Sequence, residues 1–350
     1  MQTEKRERVR YFDLLRVLSV FFIVVLNTVA QSFGRAAVGG YAWTVCNIFD
    51  SIALCAVPVL VMISGALFLN PQKQLDYRNL FRKNLLRLAT AFVFWSAAYA
   101  VFDRLQGVRW RSVVFNFLRG GEHLWFLYMI AGLYLLVPVL RKMTESRRLT
   151  KYFLILWLAF SVLTPTLALT VSYFKEYLGY WIETVAGELN LSLAVGYAGC
   201  FVLGHYLHEN ELSKKLRRVI YALGVCGAAA TAFLTYLFSQ KKGYTDMAFY
   251  QYLTLGVILE AAAVFVFFKY HAPTLRRGWT HGFLLNLSEC GFGICLVHMM
   301  FLRAAAYLPV DLFAVDPILG VVGTSVCVFL LSWLVSYIFN KIPFVNRYLV

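Results

Sequence analysis

Ten apolar segments of about twenty residues divide this chain, and about twenty residues is the length a helix needs to cross the hydrocarbon core of a bilayer. They run near 11–31, 44–69, 85–103, 123–140, 152–172, 189–208, 218–239, 249–269, 282–303 and 317–339. No alternating ten-residue pattern supports a β-barrel, so helices are the remaining way to satisfy the backbone in lipid. The sequence therefore predicts an all-α, polytopic membrane helix bundle of about ten spans. At 60% hydrophobic residues the chain exceeds the roughly 45–50% of a soluble domain. No long polar stretch is left for a second domain, so residues 1–350 read as one unit. The third segment has the least defined start, because Arg82, Lys83 and Arg87 crowd it. Pro58 and Pro138 should kink their spans or mark an end. The basic opening Lys5-Arg6-Glu7-Arg8-Val9-Arg10 leads into a full-length span with no small-residue cleavage site, which argues against a cleavable signal peptide.

Charge sets the expected orientation. The N-terminus and the even-numbered connections hold 23 Lys and Arg, the odd-numbered connections hold 9, and Arg16 inside the first span completes the 33. By the positive-inside rule both termini should be cytoplasmic. The net charge of +15 is then a topology signal and a cytoplasmic coat, and it gives no support to a nucleic-acid partner. Two external connections stand apart. Gly107 to Glu122 carries Trp110, Phe115, Phe117 and several arginines, as an interfacial amphipathic helix or a re-entrant lid would. Ser172 to Glu188 combines Glu176, Glu183 and Glu188 with Tyr173, Tyr177, Tyr180 and Trp181, a set that grips sugars or simply forms an aromatic belt; the belt is the plainer reading.

The first span, Tyr11-Phe-Asp-Leu-Leu-Arg-Val-Leu-Ser-Val-Phe-Phe-Ile-Val-Val-Leu-Asn27, is apolar enough to cross a bilayer yet holds Asp13, Arg16 and Asn27. Eleven residues turn a helix about 1100°, some 20° past three full turns, so Arg16 and Asn27 share a face about 16 Å apart along the axis. Asp13 lies one turn before Arg16 on the same side. Ionisable groups in a span usually face a protein interior or a water-filled cavity, so this helix reads as one wall of a site. Arg16 suits a phosphate or a pairing with Asp13, against snorkelling to headgroups. Asn27 is a ligand contact or an interhelical hydrogen bond. His123, after Gly120-Gly-Glu, falls at the membrane boundary, where a headgroup-facing role is the plainer reading. His298 falls in mid-membrane, half a turn out of phase with Glu289, as a site residue or a structural bond. Glu260 in the eighth segment needs a buried partner or a cavity. The seven scattered cysteines read as small buried hydrophobes. There is no P-loop, HExxH, GxSxG or dinucleotide fingerprint.

Four ordered pieces resemble the bacterial integral-membrane acyltransferase family known as acyltransferase-3. These are Tyr11-Phe-Asp-Leu-Leu-Arg16; Ser64-Gly65-Ala-Leu-Phe-Leu followed by Phe81-Arg-Lys-Asn-Leu-Leu-Arg87; His123-Leu-Trp-Phe-Leu-Tyr128 with Gly132-Leu-Tyr-Leu-Leu-Val-Pro138; and Gly293-Ile-Cys-Leu-Val-His298. The resemblance implies transfer of an acyl group, commonly acetyl, from cytoplasmic acyl-CoA to a hydroxyl of a cell-envelope glycan, in a bacterial cytoplasmic membrane and without a resident cofactor. It places Arg16 with the acyl donor, and Arg82, Lys83 and Arg87 near the CoA entrance. Cys295 stands where the family has tyrosine. Asn27 stands where the family has the histidine that deprotonates the acceptor, and an amide cannot do that. Three accounts fit: a substitution made to disable the base, a homologue without acyl transfer, or another base such as His123 or His298. A transporter or flippase is the alternative from a different class, though no internal repeat supports it. Oligomeric state is not legible.

Overall fold

The computed structural model describes residues 9–71, 74–120, 123–188, 196–273, 279–305 and 316–350. Every extended element among them is a helix. In chain order they are α1 (Arg10–Ala30), α2 (Tyr41–Ala53), α3 (Ala56–Phe68), α4 (Tyr77–Leu105), α5 (Trp110–Arg119), α6 (Trp125–Thr144), α7 (Arg147–Phe174), α8 (Glu176–Glu188), α9 (Tyr197–Glu209), α10 (Lys214–Lys242), α11 (Leu255–His271), α12 (Trp279–Ala305), α13 (Pro317–Lys341) and the short α14 (Pro343–Tyr348). Eight stretches are long and apolar enough to cross a membrane: α1 with the turn after it, α2–α3, α4, α6, α7, α10, α12 and α13. The bundle is thus that of a polytopic membrane protein.

The other two expected spans are occupied by shorter helices, α9 with 13 residues and α11 with 17. Residues 189–195 of the sixth expected span lie outside the described residues. In the eighth, positions 249–254 were expected to be helical and are not; α11 begins only at Leu255. Side-chain bonds hold this irregular backbone in place. Ser239 Oγ accepts from the Asp246 amide at 2.9 Å, Asp246 Oδ1 accepts from the Ala248 amide at 2.8 Å, and Thr166 Oγ1 accepts from the Leu255 amide at 3.0 Å. Non-helical backbone at membrane depth is tolerated when protein supplies those partners.

Proline and π-turns shape the long spans. The second span breaks at Leu54–Cys55 between α2 and α3. Pro58 has no N–H for the Leu54 carbonyl and its ring crowds it, so the helix cannot run through. Pro138 is accommodated inside α6. α4 begins eight residues before the expected start, and the basic stretch Leu80–Leu85 is a π-turn within it. A second π-turn, Leu158–Leu163, precedes Pro165 in α7.

α1 sits at the centre and packs on α2, α3, α12 and α13. The tightest contact is α3 against α9. A Cβ on Gly65 would fall on the Phe201 carbonyl, and one on Gly204 would fall on the Met62 carbonyl, both far inside the 3.0 Å that real Cβ atoms keep. Small residues let membrane helices approach until their backbones touch. Met62, Phe201 and Trp157 are fully buried there. Gly227 and Gly256 do the same for α10 against α11.

The two connections singled out in the sequence are largely helical over their described residues. α5 is amphipathic, with Val113 inward and Trp110, Phe115 and Leu118 exposed. It is pinned by Asn116, which donates to Asp103 Oδ2 at 3.0 Å, and by the Tyr128 hydroxyl, which donates to the Leu118 carbonyl at 2.7 Å. Arg303 closes the group with an ion pair to Asp103 at 2.7 Å. The glutamate- and tyrosine-rich connection is largely the helix α8, whose Tyr177, Tyr180 and Trp181 are exposed. Five cysteines are buried as expected, while Cys226 and Cys327 are exposed, and all seven are free thiols.

Candidate functional site

A cavity of about 260 Å³ lies between α1, α3, α6 and α12, with Phe201 of α9 and Tyr252 of the irregular segment closing it. Its lining includes Arg16, Asn27, His123 and His298 together. These come from α1, the turn before α6, and α12, and are far apart in sequence. On α1 the lining residues Arg16, Val20, Ile23 and Asn27 follow helical spacing along one face. On α12 the facing stripe is Gly291, Cys295 and His298, continued by Ser288 one turn earlier. Gly291 permits the approach: a Cβ there would meet Val20 Cγ2 at 3.3 Å.

At one end, Ser288 ties the charged pair together. Its hydroxyl donates to Asp13 Oδ1 at 2.6 Å and accepts from Arg16 Nη1 at 2.9 Å, while Arg16 Nη1 lies 3.5 Å from Asp13 Oδ1. Asp13 is buried and Arg16 half-buried. The carboxylate and hydroxyl thus aim the guanidinium of a residue that lines the cavity, which is not how a snorkelling arginine is held. Ser288 was not legible in the sequence; only its position one turn before Gly291 on the His298 face signals it.

At the other end, Asn27 Nδ2 donates back to the Ile23 carbonyl at 2.8 Å. That bond leaves its carbonyl oxygen and second N–H for other partners. His298 is 1% exposed, and its Nδ1 lies 3.2 Å from the Ile294 carbonyl. A carbonyl can only accept, so this contact assigns the ring proton to Nδ1 and leaves the Nε2 lone pair open. His298 Nε2 has no hydrogen-bond partner among the described residues.

His123 does not face headgroups; it is 7% exposed inside the protein, because the turn before α6 folds it inward. Its ring meets His298 edge-on at 5.6 Å and Tyr99 at 4.7 Å between centroids. The Leu296 carbonyl lies beside it but misses hydrogen-bonding geometry with either ring nitrogen. That carbonyl already accepts from the Tyr99 hydroxyl at 2.8 Å.

The remaining expected residues divide. Arg82 and Lys83 are exposed and do not line the cavity. Arg87 reaches it indirectly, stacked over the lining ring of Phe292 at 5.2 Å and donating to the Val350 carbonyl. Glu260 is buried away from the cavity beside Cys55, and its Oε2 has no hydrogen-bond partner among the described residues. Glu289 is exposed, on the face opposite His298. Trp125 and Tyr252, stacked at 5.6 Å with 28° between their planes, form an aromatic wall that sequence reasoning did not single out. No group of three or more His, Cys, Asp or Glu able to hold a metal occurs among the described residues.

Fold and site together define a multi-pass membrane protein with a buried, partly apolar chamber lined by an arginine, an asparagine and two histidines. The acyltransferase domain of the acyltransferase-3 family matches residues 9–337, and the chain belongs to that family. No curated protein and no solved structure matches it.

Proposed function

We propose that this protein is an O-acyltransferase of the bacterial cytoplasmic membrane, moving a short acyl group, acetyl in the simplest case, from cytoplasmic acyl-CoA to a hydroxyl of a glycan outside. The observation that carries this reading is the convergence of Arg16, Asn27, His123 and His298 on one cavity. With both termini cytoplasmic, the Arg16 end faces the donor side, and Asn27 lies about 16 Å further out by helix rise. A pantetheine arm spans that distance while the nucleotide stays outside near the exposed Arg82 and Lys83, where cations suit its phosphates. Arg16 meets the arm or a phosphate.

His298 takes the role that Asn27 cannot. Its Nε2 accepts the proton of the acceptor hydroxyl as that oxygen attacks the thioester carbonyl. The C–S bond breaks, and the imidazolium returns the proton to the departing CoA thiolate. Asn27 donates an N–H toward the acyl oxygen, where negative charge develops. Lipid, acyl-CoA and the glycan are the partners, and the group transferred passes through no resident cofactor.

The first expected result is thermal protection by acetyl-CoA in detergent or nanodiscs. The double variant Arg82→Ser/Lys83→Ser should weaken that protection roughly fivefold, most at low salt. Absence of any protection, together with glycan uptake into proteoliposomes without a donor, would transfer the assignment to a transporter.

Asn27 itself favours a second reading, a homologue that binds acyl-CoA without turnover. Asn27→His separates the two. With His298 as base, the parent already turns over acetyl-CoA and Asn27→His changes kcat by less than about tenfold. A silent parent that gains turnover in Asn27→His would sink the His298 assignment.

A further inference from the structure

A second polar cluster lies apart from the chamber just described. Asn47, Asp50 and Ser51 share one face of α2, three and four residues apart. All three are buried, at 4%, 5% and 1% exposure. This face meets α10, where Asn47 Nδ2 donates to the Ala232 carbonyl at 2.9 Å and Thr235, one turn on, is completely buried. Tyr250 of the irregular segment closes the group. Its hydroxyl donates to Asn47 Oδ1 and to the Asn47 carbonyl, and lies beside Ser51, Thr235 and Asp50.

Three oxygens of this cluster are buried without a hydrogen-bond partner among the described residues: Asp50 Oδ1, Ser51 Oγ and Thr235 Oγ1. Asp50 also has no ion pair among them; the basic side chains that pair on the external side, Lys242 and Arg303, are committed to Asp246 and Asp103. A carboxylate at membrane depth with neither cation nor donor is costly, and such residues mark functional sites. Hydroxyls can turn their protons outward and present lone pairs, so all of these groups can serve as acceptors at once.

We propose that these oxygens bind a small monovalent cation of the Na+ type, held by Asp50, Ser51, Thr235 and the Asn47–Tyr250 pair. The donor chemistry selects the class. Oxygen ligands suit hard cations over transition metals. A single carboxylate balances a single charge, whereas calcium sites recruit several carboxylates. The cation would also anchor the irregular segment through Tyr250. Two residues further on, Tyr252 lines the chamber and stacks on Trp125, so an occupied site stiffens the chamber's aromatic wall. The inference is independent of the acyl-transfer reading, since its ligands do not line the chamber.

The test is thermal unfolding of the full chain, without acyl donor, in choline chloride exchanged for NaCl at constant ionic strength. The expected result is a saturable rise in Tm of a few degrees (~3 °C), with a smaller rise for KCl. In Asp50→Asn the rise disappears, while Tm in choline stays at or above that of the parent, because a buried carboxyl whose Oδ1 lacks a hydrogen-bond partner among the described residues has been replaced by a neutral amide of the same shape. No saturable rise in the parent, or the same rise in Asp50→Asn, would overturn the proposal; the first result means that Asp50 is protonated or hydrated. Should Asp50→Asn fail to fold, Thr235→Val decides. The Na+ concentration at half-effect then rises about tenfold if Thr235 is a ligand, and an unchanged midpoint counts against the site.

Discussion

His298→Gln should lower kcat for acyl transfer by ~10²–10⁴-fold while leaving the thermal protection by acetyl-CoA intact. Glutamine fills much of the imidazole's volume and can still bond the Ile294 carbonyl, so the helix keeps its packing, but it has no titratable nitrogen. His298 is singled out over His123 by orientation. Its Nδ1 is committed to the Ile294 carbonyl, and its Nε2 has no protein partner among the described residues. No hydrogen bond to a described residue fixes the tautomer of His123, which packs between Tyr99 and His298 through its ring. His123→Gln should therefore cost less, about tenfold, through altered placement of its neighbour. Single-turnover transfer of a labelled acetyl group separates chemistry from binding. Retained turnover in His298→Gln with loss in His123→Gln would exchange the two roles, and retention in both would remove the histidines from the chemistry.

Gly65→Ala and Gly204→Ala should each destabilise the protein by about 4 kcal/mol or more, lowering Tm by ~10 °C. A new Cβ at either position lands on backbone, the Phe201 carbonyl in one case and the Met62 carbonyl in the other. Backbone cannot swing aside as a long side chain can, so α3 and α9 must separate. The control is Gly132→Ala on α6, where nothing lies within 4 Å of the added atom; there the higher helix propensity of alanine should leave Tm unchanged or slightly raised. Because α3 and α9 also supply Ser64 and Phe201 to the chamber, whatever of the Gly65 and Gly204 variants folds should lose acetyl-CoA protection as well. Normal stability in both would mean that the helix pair is not held by backbone contact.

Much of this was legible one residue at a time. Hydropathy placed helices at all ten expected positions, although α9 and α11 are shorter than a span and residues 249–254 are irregular. The error at 249–254 has a local cause. Phe249, Tyr250, Tyr252 and Leu253 are as apolar as a helix start, and hydropathy does not register that Ser239, Asp246 and Thr166 intercept the backbone amides nearby. The boundary position of His123 misled in the same way, since depth along the chain does not say whether a residue turns toward lipid or protein. Of the polar stripe of α1, Arg16 and Asn27 line the cavity while Asp13 does not, and helical periodicity alone places Arg16 and Asn27 on one face.

The sequence by itself determined the class of the molecule, its family resemblance and the one helix face that had to be buried, since apolar length and helical phase are properties of single segments. Only the tertiary structure decided which partners that face meets. Ser288 clamping Asp13 and Arg16, His298 joining Asn27 in the lining of one chamber, and Asp50 lying beside Tyr250 all depend on how helices rotate and approach one another. That is set by packing between distant residues, with glycines such as Gly65, Gly204 and Gly291 fixing the distances of closest approach.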